Sequence, residues 1–158
     1  MPHSPERNPV IDDLDRRIIC QLARNARMNF RDLGKAIHLS PNATAERVRR
    51  LQSSGIIRDF RTEVDRHQLG FLVEAFVDVK LQPSTTAKSF ESVIAQLPGI
   101  MSATVLTGDV DFRLRVSCKD HHDLSILIET LRERAGVQET NSSVIVREIE
   151  MPDRPQLF

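Results

Sequence analysis

The chain has 158 residues, with 22 Lys+Arg against 22 Asp+Glu, seven Phe and neither Tyr nor Trp. This is the length of one ordinary domain or two small ones, and no apolar window is long enough to predict a membrane-spanning helix. The opening MPHSPERNPVIDDLDRR has no apolar run and does not read as a signal peptide, and Cys20 and Cys118 match neither a disulfide framework nor a zinc pattern, so the expectation is a soluble protein of a reducing cytoplasm with no cofactor or metal.

Leu14, Ile18, Ile19 and Leu22 lie on one face of a predicted first helix over 12–25. Asp12, Asp13 and Asp15 crowd its start, where the helix dipole favours anions. Asn29 is placed to cap a second helix over 30–37, with Leu33, Ala36 and Ile37 inward. Ser40 is an N-cap and Pro41 a first helical residue for a third helix over 41–54. Its inward face is Ala45, Val48 and Leu51, and Gly55 suits its end. Gly34, inside the second helix, suits close helix packing. Two helices joined by a short turn, the second polar and basic, read as helix-turn-helix. Residues 56–64 follow as a predicted strand, a wing or a bridge.

The period then changes from that of a helix to that of a strand. Val73, Ala75, Val77, Val79 and Leu81 alternate with polar residues as a strand. Residues 83–86 break it and cap a helix with Phe90, Val93, Ile94 and Leu97 inward, stopped by Pro98-Gly99. Strands over 100–107 and 112–116 flank a turn at Gly108-Asp109. A helix over 120–134 and a final strand over 140–149 complete the series. The order β-α-β-β-α-β is the ferredoxin-like pattern. The fold class is therefore α+β, a winged helix-turn-helix domain followed by a ferredoxin-like sandwich. The expected divisions are a tail (1–10), the helix-turn-helix domain (11–60), a linker or strand (61–70), the second domain (71–150) and a tail (151–158).

The zero net charge, taken alone, argues against a nucleic-acid partner, but it is a sum of unlike halves. Residues 1–65 hold 12 Lys+Arg and 9 Asp+Glu, a net of +3, and residues 66–158 hold 10 and 13, a net of −3. Positive charge collects on the helix-turn-helix, and there Ser40, Asn42, Thr44, Arg47, Arg49 and Arg50 are the candidate contacts to double-stranded DNA. Asn pairs with adenine and Arg with guanine in the major groove, and most of the remaining contacts go to phosphate. Glu46 is spaced to pair with Arg49 or Arg50 within the helix.

SPNATAERVRRLQSSGII (40–57) resembles the recognition helix of the Lrp/AsnC family of bacterial and archaeal transcription regulators. Residues 11–37 are similar to the helices before it. LTGDVDFRLRV (106–116) resembles that family's Gly-Asp-aromatic-Asp turn, and 136–149 its final strand. The resemblance implies a DNA-binding domain joined to a ligand-sensing and assembly domain, in a cytoplasmic, nucleoid-associated regulator that is not an enzyme. It implies homodimers built through the C-terminal sheets, and higher assemblies such as a tetramer or octamer of dimers. It also implies a small effector, a free amino acid or similar metabolite, held where dimers meet.

By itself, Gly108-Asp109 reads as a hairpin turn. With the resemblance, Thr107, Gly108, Asp109 and Asp111 become candidate effector-binding residues: a carboxylate receives an α-ammonium, and the backbone amides exposed at Gly108 receive an α-carboxylate. Thr140 and Ser142 are placed to line the same pocket. Val110 stands where the family usually has an aromatic ring, which leaves the ligand class open. Two other readings stay open. One is an enzyme on the same scaffold, of the sirohaem-type decarboxylase kind. The other is a sensing or assembly module without DNA binding. His121-His122 lie beside Asp120 and Asp123 but lack the converging ligands that zinc needs, and they read as an exposed helix start.

Overall fold

Helix α1 (Asp13–Arg24) begins at a reciprocal capping box. The Asp12 carboxylate accepts the Asp15 N–H at 2.8 Å, and the Asp15 carboxylate accepts the Asp12 N–H at 3.2 Å. Asn29 caps α2 (Phe30–Ile37) by accepting the Asp32 N–H at 2.9 Å. That helix ends at His38, a non-glycine residue in the left-handed region at φ 62°. Ser40 accepts the Ala43 N–H and Pro41 supplies the first residue of α3 (Pro41–Ser53). The computed structural model describes residues 11–149, so the expected tails at 1–10 and 151–158 lie outside the described residues. These divide into two compact units that part between Glu63 and Val64.

The core of the first unit is Ile18 and Leu22 from α1, Leu33 and Ile37 from α2, and Val48 and Leu51 from α3. Ala36, expected inward, is exposed, and Gly34 is buried in its place. A β-carbon on Gly34 would stand 2.7 Å from the Leu39 carbonyl oxygen, so the missing side chain is what lets α2 meet the following turn. Residues 56–64 depart from expectation: no strand, and hence no wing, forms there among the described residues. A strand needs a neighbour to complete its ladder, and none pairs with this segment. Instead the Ile57 N–H returns to the Leu51 carbonyl at 3.0 Å, and Ile56 and Ile57 pack against the three-helix core.

The second unit consists of β1 (Val73–Leu81), α4 (Ala87–Ile94), β2 (Ile100–Val105), β3 (Phe112–Cys118), α5 (His121–Arg134) and β4 (Val137–Val144). The strands form one sheet in the order β2-β3-β1-β4, with every pairing antiparallel. This is the expected ferredoxin-like arrangement. Val73, Ala75, Val77 and Val79 share one sheet face with Phe112, Leu114, Val116 and Cys118, and Phe90, Leu124, Leu127 and Leu131 of the two helices close over it. The Phe90 and Phe112 rings lie 4.6 Å apart between centroids. β4 starts and ends earlier than the periodicity predicted. Its ladder starts opposite the last residue of β1, at Leu81↔Val137, and runs to Ala75↔Val144.

Candidate nucleic-acid interface and ligand-binding turn

The outer surface of α3 carries a stripe of exposed residues at helical spacing: Asn42, Glu46, Arg49 and Ser53. Ser40 is exposed at its start, where its oxygen caps the helix. Among the described residues the Arg49 side chain makes no hydrogen bond or ion pair, and the pairing of Glu46 with Arg49 or Arg50 does not form.

Three of the expected contacts sit differently. Thr44 is 0% exposed and its hydroxyl donates to the Ser40 carbonyl at 2.9 Å, so it has no surface to offer a base and is corrected to a strut inside the turn. Arg47 donates through Nη1 to Asp12 Oδ2 at 2.6 Å and to Asp15 Oδ1 at 2.9 Å. Arg50 donates through Nη2 to Asp15 Oδ2 at 2.6 Å. The Asp15 side chain is only 1% exposed, while those of Arg47 and Arg50 are 25% and 57% exposed. The hydrogen bond from Arg47, and then that from the Asp15 backbone, hold the Asp12 carboxyl below its ordinary value. The same contacts, Asp12 first, push Arg47 up. The acidic cluster at the start of α1 is therefore the partner of the recognition-helix arginines. Sequence reading assigned that cluster to the helix dipole alone, because nothing in the sequence says which side of α3 faces α1.

In the second unit, residues 107–111 form the turn between β2 and β3. Thr107, Gly108 and Asp109 are exposed at its tip, and Gly108 has φ 128°. Asp111 is exposed but tied down. Its N–H donates to the Val79 carbonyl, its carbonyl accepts the Leu106 N–H, and its carboxylate accepts the Leu81 N–H at 2.7 Å. It therefore clamps the turn to the end of β1. Val105 pairs with Phe112, Phe112 with Val79, and Val79 with Thr140. The turn and Thr140 thus lie at the same end of the sheet with β1 between them, about 10 Å apart across two strand spacings. The Thr140 hydroxyl accepts a hydrogen bond from Arg132 Nη2 at 2.8 Å, and Ser142 is exposed one pleat further along this edge strand. No hydrogen bond among the described residues joins the turn to Thr140 or Ser142. A hollow of about 350 Å³ opens beside the turn, with Gln82, Thr85, Leu106 and Asp111 in its wall.

The sheet face away from the helices carries ionic contacts that sequence reading did not find. Arg113 donates to both carboxylate oxygens of Asp78, at 2.7 and 2.8 Å, and lies over the Phe76 ring. Arg115 bridges Glu74 and Glu148. Arg113 holds the Asp78 carboxyl below its ordinary value. The signal was cross-strand opposition of unlike charges, which needs the register to be read. His121 and His122 open α5, and no group of three or more His, Cys, Asp or Glu converges among the described residues.

Residues 11–52 match the AsnC-type helix-turn-helix domain, and residues 74–154 match the Lrp/AsnC ligand-binding domain. An HTH-type transcriptional regulator of Mycobacterium tuberculosis is 34% identical over 86% of this chain and 92% of its own. The regulator AldR of Mycolicibacterium smegmatis is 36% identical over 91% and 87%. Among solved structures, Bacillus subtilis LrpC is similar with a TM-score of 0.79 at 30% identity, covering 89% of this chain and 98% of that one. A Neisseria meningitidis transcriptional regulator in complex with L-methionine is similar with a TM-score of 0.84 at 26% identity, covering 90% and 94%.

Proposed function

The chain belongs to the Lrp/AsnC family of helix-turn-helix transcription regulators, and on that premise we propose that it binds operator DNA with an affinity, or in an assembly state, set by a small ligand. The observation that carries this reading is the pairing, in one chain, of a capped three-helix unit whose α3 carries three arginines and an exposed polar stripe with a ferredoxin-like unit whose β2–β3 turn presents an unpaired tip. Arginine attracts phosphate, and a polar helix face reads base edges in the major groove. Ser40, Asn42 and Arg49 are the contacts proposed, being exposed and free of ion pairs to α1. Arg47 and Arg50 are held to α1 by Asp15, with the Arg50 side chain still 57% exposed.

The effector class proposed is a free amino acid. L-methionine is the first to test, because two similar regulators hold it. Thr107, Gly108 and Asp109 are proposed to meet it, with Asp111 shaping the turn and Thr140 and Ser142 contributing from the edge strand. The exposed turn tip supports a site completed by another copy of the chain, in a dimer or a larger ring of dimers acting in the cytoplasm at the nucleoid. Coupling then requires the ligand to bind two assembly states unequally.

A thermal-shift screen against the amino acids, with Asp109→Ala alongside, tests the ligand. A ligand that binds the folded chain raises the melting temperature with concentration. Loss of that rise in Asp109→Ala supports the turn, and no rise with any amino acid sets the class aside. DNA binding is tested by footprinting upstream of the chain's own gene at rising salt, where affinity should fall steeply.

A further inference from the structure

We propose that Asp15 is a positioning residue for DNA recognition, holding Arg47 and Arg50 against α1 so that they orient α3 and leave contact with DNA to the outer stripe of Asn42, Glu46 and Arg49. The proposal rests on the DNA-binding reading above and deepens it.

Asp15 lies on the first turn of α1 and is buried, with one carboxylate oxygen taken by Arg47 and the other by Arg50. A buried carboxylate is kept only where charged donors compensate for its lost water. Here both donors come from α3, one turn apart, so the two ion pairs define the rotation of α3 about its own axis as well as its distance from α1. Asp12 adds a second acceptor for Arg47 and is itself the cap of α1. The cap, the buried carboxylate and the two arginines form one connected network. If Arg47 turned toward a phosphate, the buried Asp15 side chain would lose a donor, while the phosphate, bathed in water and counterions, would return less. Arg49 has no such tie and faces away.

The arrangement inverts the ordinary expectation for charge near DNA. Removing an acidic side chain close to phosphates should strengthen binding by Coulomb's law alone. Removing Asp15 should weaken it, because the arginines lose their anchor and the stripe loses its orientation.

The test uses the full chain and a DNA fragment selected by the wild type from a random pool, with affinity measured across a range of salt concentrations. Arg49→Gln is expected to weaken binding and to lower the steepness of log affinity against log salt by about 0.9, the change that follows when one phosphate is no longer neutralised. Arg47→Gln is expected to weaken binding about tenfold at every salt with the steepness unchanged, the signature of impaired positioning rather than of a lost phosphate contact. Asp15→Asn is expected to weaken binding to a similar degree. Circular dichroism checks that each variant is folded. If Asp15→Asn does not fold, Arg47→Gln, whose site is partly exposed, decides on steepness alone. Tighter binding by Asp15→Asn, or a drop of about 0.9 in Arg47→Gln, overturns the positioning role while leaving DNA binding standing. Absence of wild-type binding to any fragment at low salt overturns both.

Discussion

The Thr44 hydroxyl lies beneath the α-carbon of Gly34, so that a β-carbon there would stand 3.0 Å from Oγ1 and 2.7 Å from the Leu39 carbonyl oxygen. Helices α2 and α3 are thus joined across a gap with no room for a methyl group. Helix propensity alone would make Gly34→Ala stabilising by about 1 kcal/mol. The Leu39 carbonyl is backbone and cannot swing away, so the sign should reverse. A net loss of about 1–3 kcal/mol is expected in urea unfolding. A raised midpoint would show that the turn yields.

Asp111 and Asp109 stand two residues apart in one turn and should behave differently. The Asp111 carboxylate accepts the Leu81 N–H, and Asp111→Ala should cost about 1 kcal/mol of stability. Asp109 has no hydrogen-bond partner among the described residues, and Asp109→Ala should leave the ligand-free melting temperature within about 1 °C of the wild type while changing any ligand-induced rise. Equal losses of stability would remove the distinction between clamp and contact.

Acid should release the open face of the sheet. Hydrogen bonds from Arg113 hold the Asp78 carboxyl below its ordinary value of 3.8 in the folded state. A depressed carboxyl contributes stability that is present above about pH 4 and is lost as pH falls through the folded-state value. Stability followed down to about pH 2 should therefore fall less steeply in Asp78→Asn than in the wild type. A parallel fall in both would show that Asp78 does not carry this dependence.

Cys118 should be slow to react. It is 1% exposed at the end of β3, and burial, with Asp123 and Asp120 nearby, pushes its thiol up to about 11. The thiolate is the reactive form and is scarce at neutral pH. Iodoacetamide at pH 8 should modify Cys118 only at the rate of unfolding, and mild denaturant should speed it. Rapid modification of Cys118 in the native protein would contradict this burial.

The three helices with their caps, the alternation of β1 and the βαββαβ order are legible in the sequence, because capping and periodicity are local and depend on residues a few positions apart. Of the exposed stripe of α3, only Asn42 and Arg49 are legible as outward residues in the sequence. What only the tertiary structure decided are relationships between distant residues. Thr44 looks like a contact in the sequence and is a strut, because α2 passes over it. Arg47 and Arg50 look like DNA contacts in the sequence and are paired with Asp15, because α3 turns that side toward α1. Residues 56–64 have the composition of a strand and do not form one, since a ladder needs a second strand that composition cannot supply. The neutral total charge is likewise legible as +3 and −3 on the two halves of the sequence. Which of those positive charges stay free on α3 depends on ion pairs that form only when helices far apart in sequence pack together.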